Sequence, residues 1–172
     1  VYNLIPGMTY SYKTSNGQTG WFKTEGRRRM IKVSDTESES HARNCRDLGG
    51  IKTRDGKTLK YGLIYRGTNV DQITNDEKNI LYNELGIRLD QDLRNETNKT
   101  SSPIGSDVEF CHHGGYDASS IANQDGDKMK QSVLHVMNAV IEGRPVYFHC
   151  RIGSDRTGHM GLLYLALLGC DL

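Results

Sequence analysis

The chain of 172 residues is short of several things at once, and each shortage excludes a class. Its four cysteines (Cys45, Cys111, Cys150, Cys170) are scattered, which predicts neither a disulfide framework nor a paired-cysteine metal site. Three prolines exclude a Pro-rich linker, and nineteen glycines without a period exclude a collagen. Charge nearly cancels, 22 Lys and Arg against 21 Asp and Glu, so bulk charge gives no drive toward nucleic acid or a membrane surface. The longest apolar run, Met160 to Cys170, is about ten residues with glycine inside it, which suits a buried helix and not a bilayer span. What remains is polar but globular, 35% hydrophobic and 25% charged, and long enough for one core. The chain starts without Met and stops just after a hydrophobic helix, so both ends are expected to be cut. Its compartment, cytoplasmic or secreted and periplasmic, stays open.

Two regions differ in pattern. Residues 1–33 read as short strands: Tyr10 and Tyr12 flank Ser11, Asn16-Gly17 marks a hairpin, and Trp21 to Thr24 continues it. Arg27-Arg28-Arg29 reads as a solvated basic face, and Ser34 to Ser40 as a polar loop between the two regions. Residues 41–172 read as one domain, truncated at its C-terminus, in which strands and helices alternate. Strands are expected at 61–65, 87–93, 108–112 and 145–148. Thr74 and Glu77 form a capping box that opens a helix running to Leu85, which Gly86 closes. Met129, Val133, Val136, Met137, Val140 and Ile141 keep helical spacing up to Gly143 and Pro145. The last helix runs to about Leu168. The expected fold is α/β, a mostly parallel central sheet flanked by helices, with a small N-terminal β segment. Sites in such sheets lie at the carboxyl ends of the strands. His112-His113, adjacent on a strand, point to opposite faces, so one is expected inward, one in solvent, and no metal between them.

The stretch that carries chemistry is His149-Cys150-Arg151-Ile152-Gly153-Ser154-Asp155-Arg156-Thr157-Gly158, between a strand and a helix. Such a loop turns successive N–H groups inward and makes an anion nest at the helix N-terminus. Cys150 lies at its base, where amide dipoles, the helix end and Arg156 favour a thiolate. Arg156 is spaced to fold over the bowl and hold two phosphate oxygens. A thiolate beneath a cradled phosphate is placed to attack phosphorus in line. At average residue frequencies the match arises by chance on the order of 10⁻⁶ in a chain this long.

This loop is similar to the Cys-(five residues)-Arg-Ser/Thr signature of the protein tyrosine phosphatase superfamily. It most resembles the bacterial branch whose loop reads His-Cys-x-x-Gly-x-Asp-Arg-Thr-Gly. Asn44 to Gly50, Tyr61 to Gly67, and Leu85-Gly86-Ile87 running to Asp92-Leu93-Arg94 extend the resemblance in the same order, over about 43–170. Separately, Leu4-Ile5-Pro6-Gly7-Met8-Thr9-Tyr10 resembles the corner near the end of fibronectin type III-like domains, with a plain β-extension as the alternative.

The resemblance implies a metal-free, cofactor-free phosphomonoester hydrolase working through a cysteinyl-phosphate. Its substrate would be a phosphorylated protein or a small phosphomonoester, phosphotyrosine first. An inositol-phosphate or phosphoinositide phosphatase, or a pseudophosphatase that only binds phospho-ligands, are the alternatives. Neither nucleic acid nor membrane insertion is implied. Cys150 would be the nucleophile and Arg156 the clamp. The backbone of Arg151, Ile152, Gly153, Ser154, Asp155 and Arg156 would bind the phosphoryl oxygens, and the Thr157 hydroxyl would assist Cys150 as leaving group. His149 would orient the loop. The general acid is Asp155, in the loop, or Asp117, in Gly114-Gly115-Tyr116-Asp117; the expectation leans to Asp155. Asp92, in Asp92-Leu93-Arg94, is a weaker third, expected instead to pair with an arginine in support of the fold, as Arg94 is also expected to support the site. Ser154 stands where phosphoinositide-active relatives often carry Lys, although Arg151 could supply a nearby charge.

Overall fold

The computed structural model describes residues 2–26, 29–34, 41–95, 97–114, 116–117 and 125–171. Arg27, Arg28 and the polar run 35–40 lie outside them, as does the Arg29 side chain.

The N-terminal segment forms a hairpin of β1 (Thr9–Lys13) and β2 (Thr19–Lys23), joined through a turn in which Gly17 has φ 87°. The Tyr10 hydroxyl accepts a hydrogen bond from the Ile5 N–H at 2.9 Å, the contact a tyrosine corner makes. A second, six-stranded sheet holds β3 (Arg29–Met30), β4 (Arg46–Asp47), β5 (Ile64–Gly67), β6 (Leu89–Asp92), β7 (Glu109–Cys111) and β8 (Val146–His149). Their order is β3-β4-β5-β8-β6-β7. β5, β8, β6 and β7 run parallel, and β4 and β3 add antiparallel at one edge. The fold is therefore α/β with a mostly parallel sheet.

Alternation along the central strands explains the two cores. Val146 and Phe148 of β8, with Leu89 of β6, face α2 (Gly126–Ile141) and α3 (Asp155–Leu167) and pack on Val136, Ala139, Met160 and Tyr164. Tyr147 and Tyr65 face the other way, onto Leu81, Leu85 and Ile87. Val146, Tyr147 and Phe148 are fully buried, as a strand covered on both faces requires. β6 is buried too, yet its sequence is Leu-Asp-Gln-Asp. Gln91 is satisfied by Ser132 and by the Tyr164 hydroxyl, and Asp90 accepts from the Ser102 hydroxyl.

The Thr74 box forms as expected: the Thr74 hydroxyl accepts from the Glu77 N–H at 3.2 Å, and Glu77 accepts from the Thr74 N–H at 2.8 Å. The helix it opens, α1 (Asn75–Asn79), widens into a π-helical segment over Ile80–Glu84, a change the apolar spacing does not announce. Among the described residues no helix is long and apolar enough to cross a membrane.

Candidate active site

β8 lies at the centre of the parallel strands, so its carboxyl end opens where this architecture places sites. The chain leaves β8 at His149, turns through 150–154 and enters α3 at Asp155. Gly153 sets the turn with φ 72°, and a Cβ there would come within 2.6 Å of the Gly67 backbone. Only glycine fits that approach. Ser154 occupies the N-cap position but makes no side-chain cap, which leaves the first-turn amides of α3 available to an anion.

The loop is held from outside by its carbonyls. Asn44 Nδ2 and Arg66 Nη2 both donate to the Gly153 carbonyl, at 3.0 and 2.7 Å. Asn69 Nδ2 donates to the Arg151 carbonyl at 2.8 Å. With these carbonyls fixed outward, the intervening N–H groups are left to the bowl. Asn44 and Arg66 sit inside the sequence blocks noted above, where no role attached to them. Asn69 lies beyond those blocks.

Cys150 is 4% exposed. Burial alone would raise its thiol, but the Thr157 hydroxyl and the amides of Thr157, Gly153 and Ile152 outweigh it, and the thiol titrates below its ordinary 9.0. The Thr157 hydroxyl is buried and meets no partner in a well-aligned hydrogen bond, and it lies near enough to the Cys150 sulfur to favour the thiolate. Arg156 is half-buried, and its Nε is a buried donor without a partner. A buried guanidinium donor left open beside the loop amides can take up an anion.

A cleft of about 670 Å³ opens over the loop, lined by Asn69, Asp71, Arg94, Arg151 and Arg156 among others. Arg151, Ile152, Ser154 and Asp155 are exposed at the loop; Gly153 is buried. Arg94 is fixed from two sides. Its Nε and Nη2 reach Asp92 at 2.9 and 2.6 Å, and its Nη1 reaches Asp71 at 2.6 Å. Hydrogen bonds from Arg94 hold the Asp71 carboxyl below its ordinary range against the opposing effect of burial. Asp71 carried no signal in the sequence; nothing local ties a residue after β5 to one after β6.

Beneath the loop His149 is 1% exposed and lies between carboxylates. Its Nε2 is 3.0 Å from Asp90 Oδ1, an ion-pair distance in which neither atom meets a straight hydrogen bond, and its Nδ1 is 3.1 Å from the Cys150 carbonyl. Burial works against the imidazolium, but Asp90, with help from Asp92, prevails and raises it above its ordinary 6.5.

The three acid candidates separate. Asp92 is wholly buried and clamped on Arg94. Asp155 is the exposed first residue of α3. Asp117 is half-buried in the segment after β7, beside residues 115 and 118–124, which lie outside the described ones. The structure thus brings Cys150, Arg156, Thr157, Gly153 and His149 together, with Arg94 and Asp92 at the cleft wall and its backing.

A profile of the tyrosine phosphatase family matches residues 38–172. A Cupriavidus necator protein named "Putative tyrosine-protein phosphatase" is 28% identical over 151 residues, which cover 73% of this chain and 55% of that protein. The chain thus spans about half the length of this curated relative. The fold is also similar to the core catalytic domain of a PP-IP phosphatase from S. cerevisiae, solved with citrate, at 18% identity and a TM-score of 0.48 over 63% of each chain.

Proposed function

The chain belongs to the tyrosine phosphatase family, and from that premise we propose that it hydrolyses phosphomonoesters, phosphotyrosine in proteins first among them, through a cysteinyl-phosphate. The observation that supports the reading is the Cys150 thiol, lowered by the Thr157 hydroxyl and the amides of Thr157, Gly153 and Ile152, in the same loop that brings Arg151 and Arg156 to the cleft.

In the first step the thiolate attacks phosphorus; the S–P bond forms as the ester P–O bond breaks. Loop amides and Arg156 take up the charge on the non-bridging oxygens. A carboxylic acid gives its proton to the leaving oxygen. In the second step water attacks phosphorus, yields a proton to that carboxylate, and the sulfur leaves as thiolate, which the Thr157 hydroxyl again stabilises. Asp155 is the favoured acid for its position at the exposed rim of the loop, and Asp117 is the alternative. Asp92 is set aside, because it is wholly buried with both carboxylate oxygens engaged by Arg94.

The test is turnover of an aryl phosphate by wild type and Cys150→Ser. Turnover is expected to vanish in the variant while phosphate binding persists; unchanged turnover overturns the mechanism. Asp155→Asn and Asp117→Asn, assayed with good and poor leaving groups, assign the acid, since its loss is felt most with the poor one. Phosphopeptides set against inositol phosphates decide the substrate class.

A further inference from the structure

β7 is the edge strand of the large sheet, and its alternation places Glu109 and Cys111 on one side. His113, two residues on, continues that side. His112 turns away, its Nε2 at 2.6 Å from the Arg94 carbonyl. The helix α2 crosses the same side and brings His135 to it. One ligand atom each from Cys111, His113 and His135 lie within 4.8 Å of one another.

Three features set this trio apart from a chance cluster. Cys111 is 2% exposed, and a buried thiol beside two imidazoles offers a borderline-soft donor set. His113 Nε2 is buried and meets no hydrogen-bond partner among the described residues, which is costly for a ring nitrogen unless something binds it. Glu109 Oε1 holds His135 Nε2 at 2.6 Å while Arg144 Nη1 donates to Glu109 Oε2 at 2.7 Å, and among the described residues nothing bonds the other nitrogen of His135. A carboxylate behind an imidazole is the outer arrangement that orients metal-bound histidines. A plain Glu109–His135 ion pair explains that contact but not the orphaned His113 nitrogen.

We propose that Cys111, His113 and His135 bind a divalent transition cation of the zinc type, with Glu109 as the outer support of His135 and water in the fourth position. Bond lengths of about 2.0–2.3 Å put tetrahedral donors roughly 3.5 Å apart, so the trio closes by about 1 Å with side-chain rotation. The Cys111 proton leaves to solvent for each ion bound. The cation ties the edge strand to α2 and fixes the start of the segment that leads to Asp117. It is separate from the phosphate loop and supplies nothing to the phosphoryl step.

The probe is Co²⁺, followed by absorbance, in a Cys150→Ser background so that the loop thiol cannot contribute. One equivalent is expected to give a thiolate-to-cobalt charge-transfer band with tetrahedral d–d bands, and Zn²⁺ is expected to displace it and raise Tm. Cys111→Ser in that background should abolish the charge-transfer band. His113→Gln and His135→Gln should each weaken binding at least about tenfold. Absence of the band in Cys150→Ser, or its survival in the Cys111→Ser double variant, overturns the site. If Cys111→Ser does not fold, His113→Gln decides alone: a Co²⁺ affinity equal to its parent's overturns the proposal.

Discussion

Asn44 donates to the Gly153 carbonyl at 3.0 Å across a separation of 109 residues, from a backbone held at φ 56°. The bond makes the segment before β4 a brace for the phosphate loop. Asn44→Gly removes the side-chain bond and keeps the left-handed backbone comfortable. Asn44→Ala removes the same bond and adds strain of about 1–2 kcal/mol. The expected pattern is a similar drop in kcat for both variants, about tenfold for one lost bond near 1.4 kcal/mol. Both should lose some stability to denaturant, the alanine variant more by the added strain. Equal stabilities with unchanged kcat would separate Asn44 from the loop.

The thiol of Cys150 should react with iodoacetamide with a midpoint below 9.0. Thr157→Val keeps the shape of a side chain that has no nitrogen or oxygen partner and deletes only the hydroxyl. Its midpoint should rise, and its kcat should fall about 10–100-fold, the worth of a hydrogen bond to a charged group of roughly 1.5–3 kcal/mol. Stopped-flow should show the phospho-enzyme accumulating, because the sulfur becomes a poorer leaving group. The linkage has a definite sign. A thiol whose folded value is lowered stabilises the fold fully above its unfolded value and loses that contribution as pH falls through the folded one.

For His149 the sign reverses. Its folded value is raised by Asp90, against burial, so its stabilisation is complete below 6.5 and disappears as pH rises through the folded value. Denaturant midpoints of the wild type should therefore decline on that rise. In His149→Asn the slope should vanish, and stability should drop by roughly 3–5 kcal/mol, because a buried Asp90 loses its cation. A variant with the wild-type pH slope would assign the linkage to another group.

These outcomes also mark how far the sequence carries. The loop from His149 to Gly158 and the Thr74 box are local objects; each is written in about ten consecutive residues or fewer, and each is where its pattern puts it. The strand–helix alternation is periodic, and periodicity carried the central strands to within a few residues. What escaped is whatever depends on chain segments far apart. Asn44, Arg66 and Asn69 meet the loop over separations of 109, 87 and 82 residues, and their residue types alone say nothing of that. The adjacency of His112 and His113 predicts one ring inward and one in solvent, but both are half-buried: His112 meets the Arg94 carbonyl, and His113 lies close to Cys111, two residues away, and to His135 on a helix. The addition of Arg29–Met30 to the large sheet was equally hidden, since two residues carry no period.

Asp71 and Arg94 give the last prediction. Arg94 already has Asp92 for a full bidentate partner, so its contact with Asp71 is a second carboxylate on one guanidinium, at the wall of the cleft proposed to receive the phosphate. Asp71 is partly exposed, and its charge repels an incoming phosphate as well as holding Arg94. Asp71→Asn keeps the size and removes the repulsion, while Asp92 still fixes the arginine. Inorganic phosphate should then inhibit more strongly and KM for an aryl phosphate should fall. Each change should be about 2–5-fold, as expected for removing a screened contact worth up to about 1 kcal/mol, and should shrink as salt is added. Asp92→Asn should act in the opposite direction, because it withdraws the buried anchor and lets Arg94 swing onto Asp71. A weaker phosphate interaction in Asp71→Asn would mean that Asp71 is needed to aim Arg94 and that the buried carboxylate alone does not suffice.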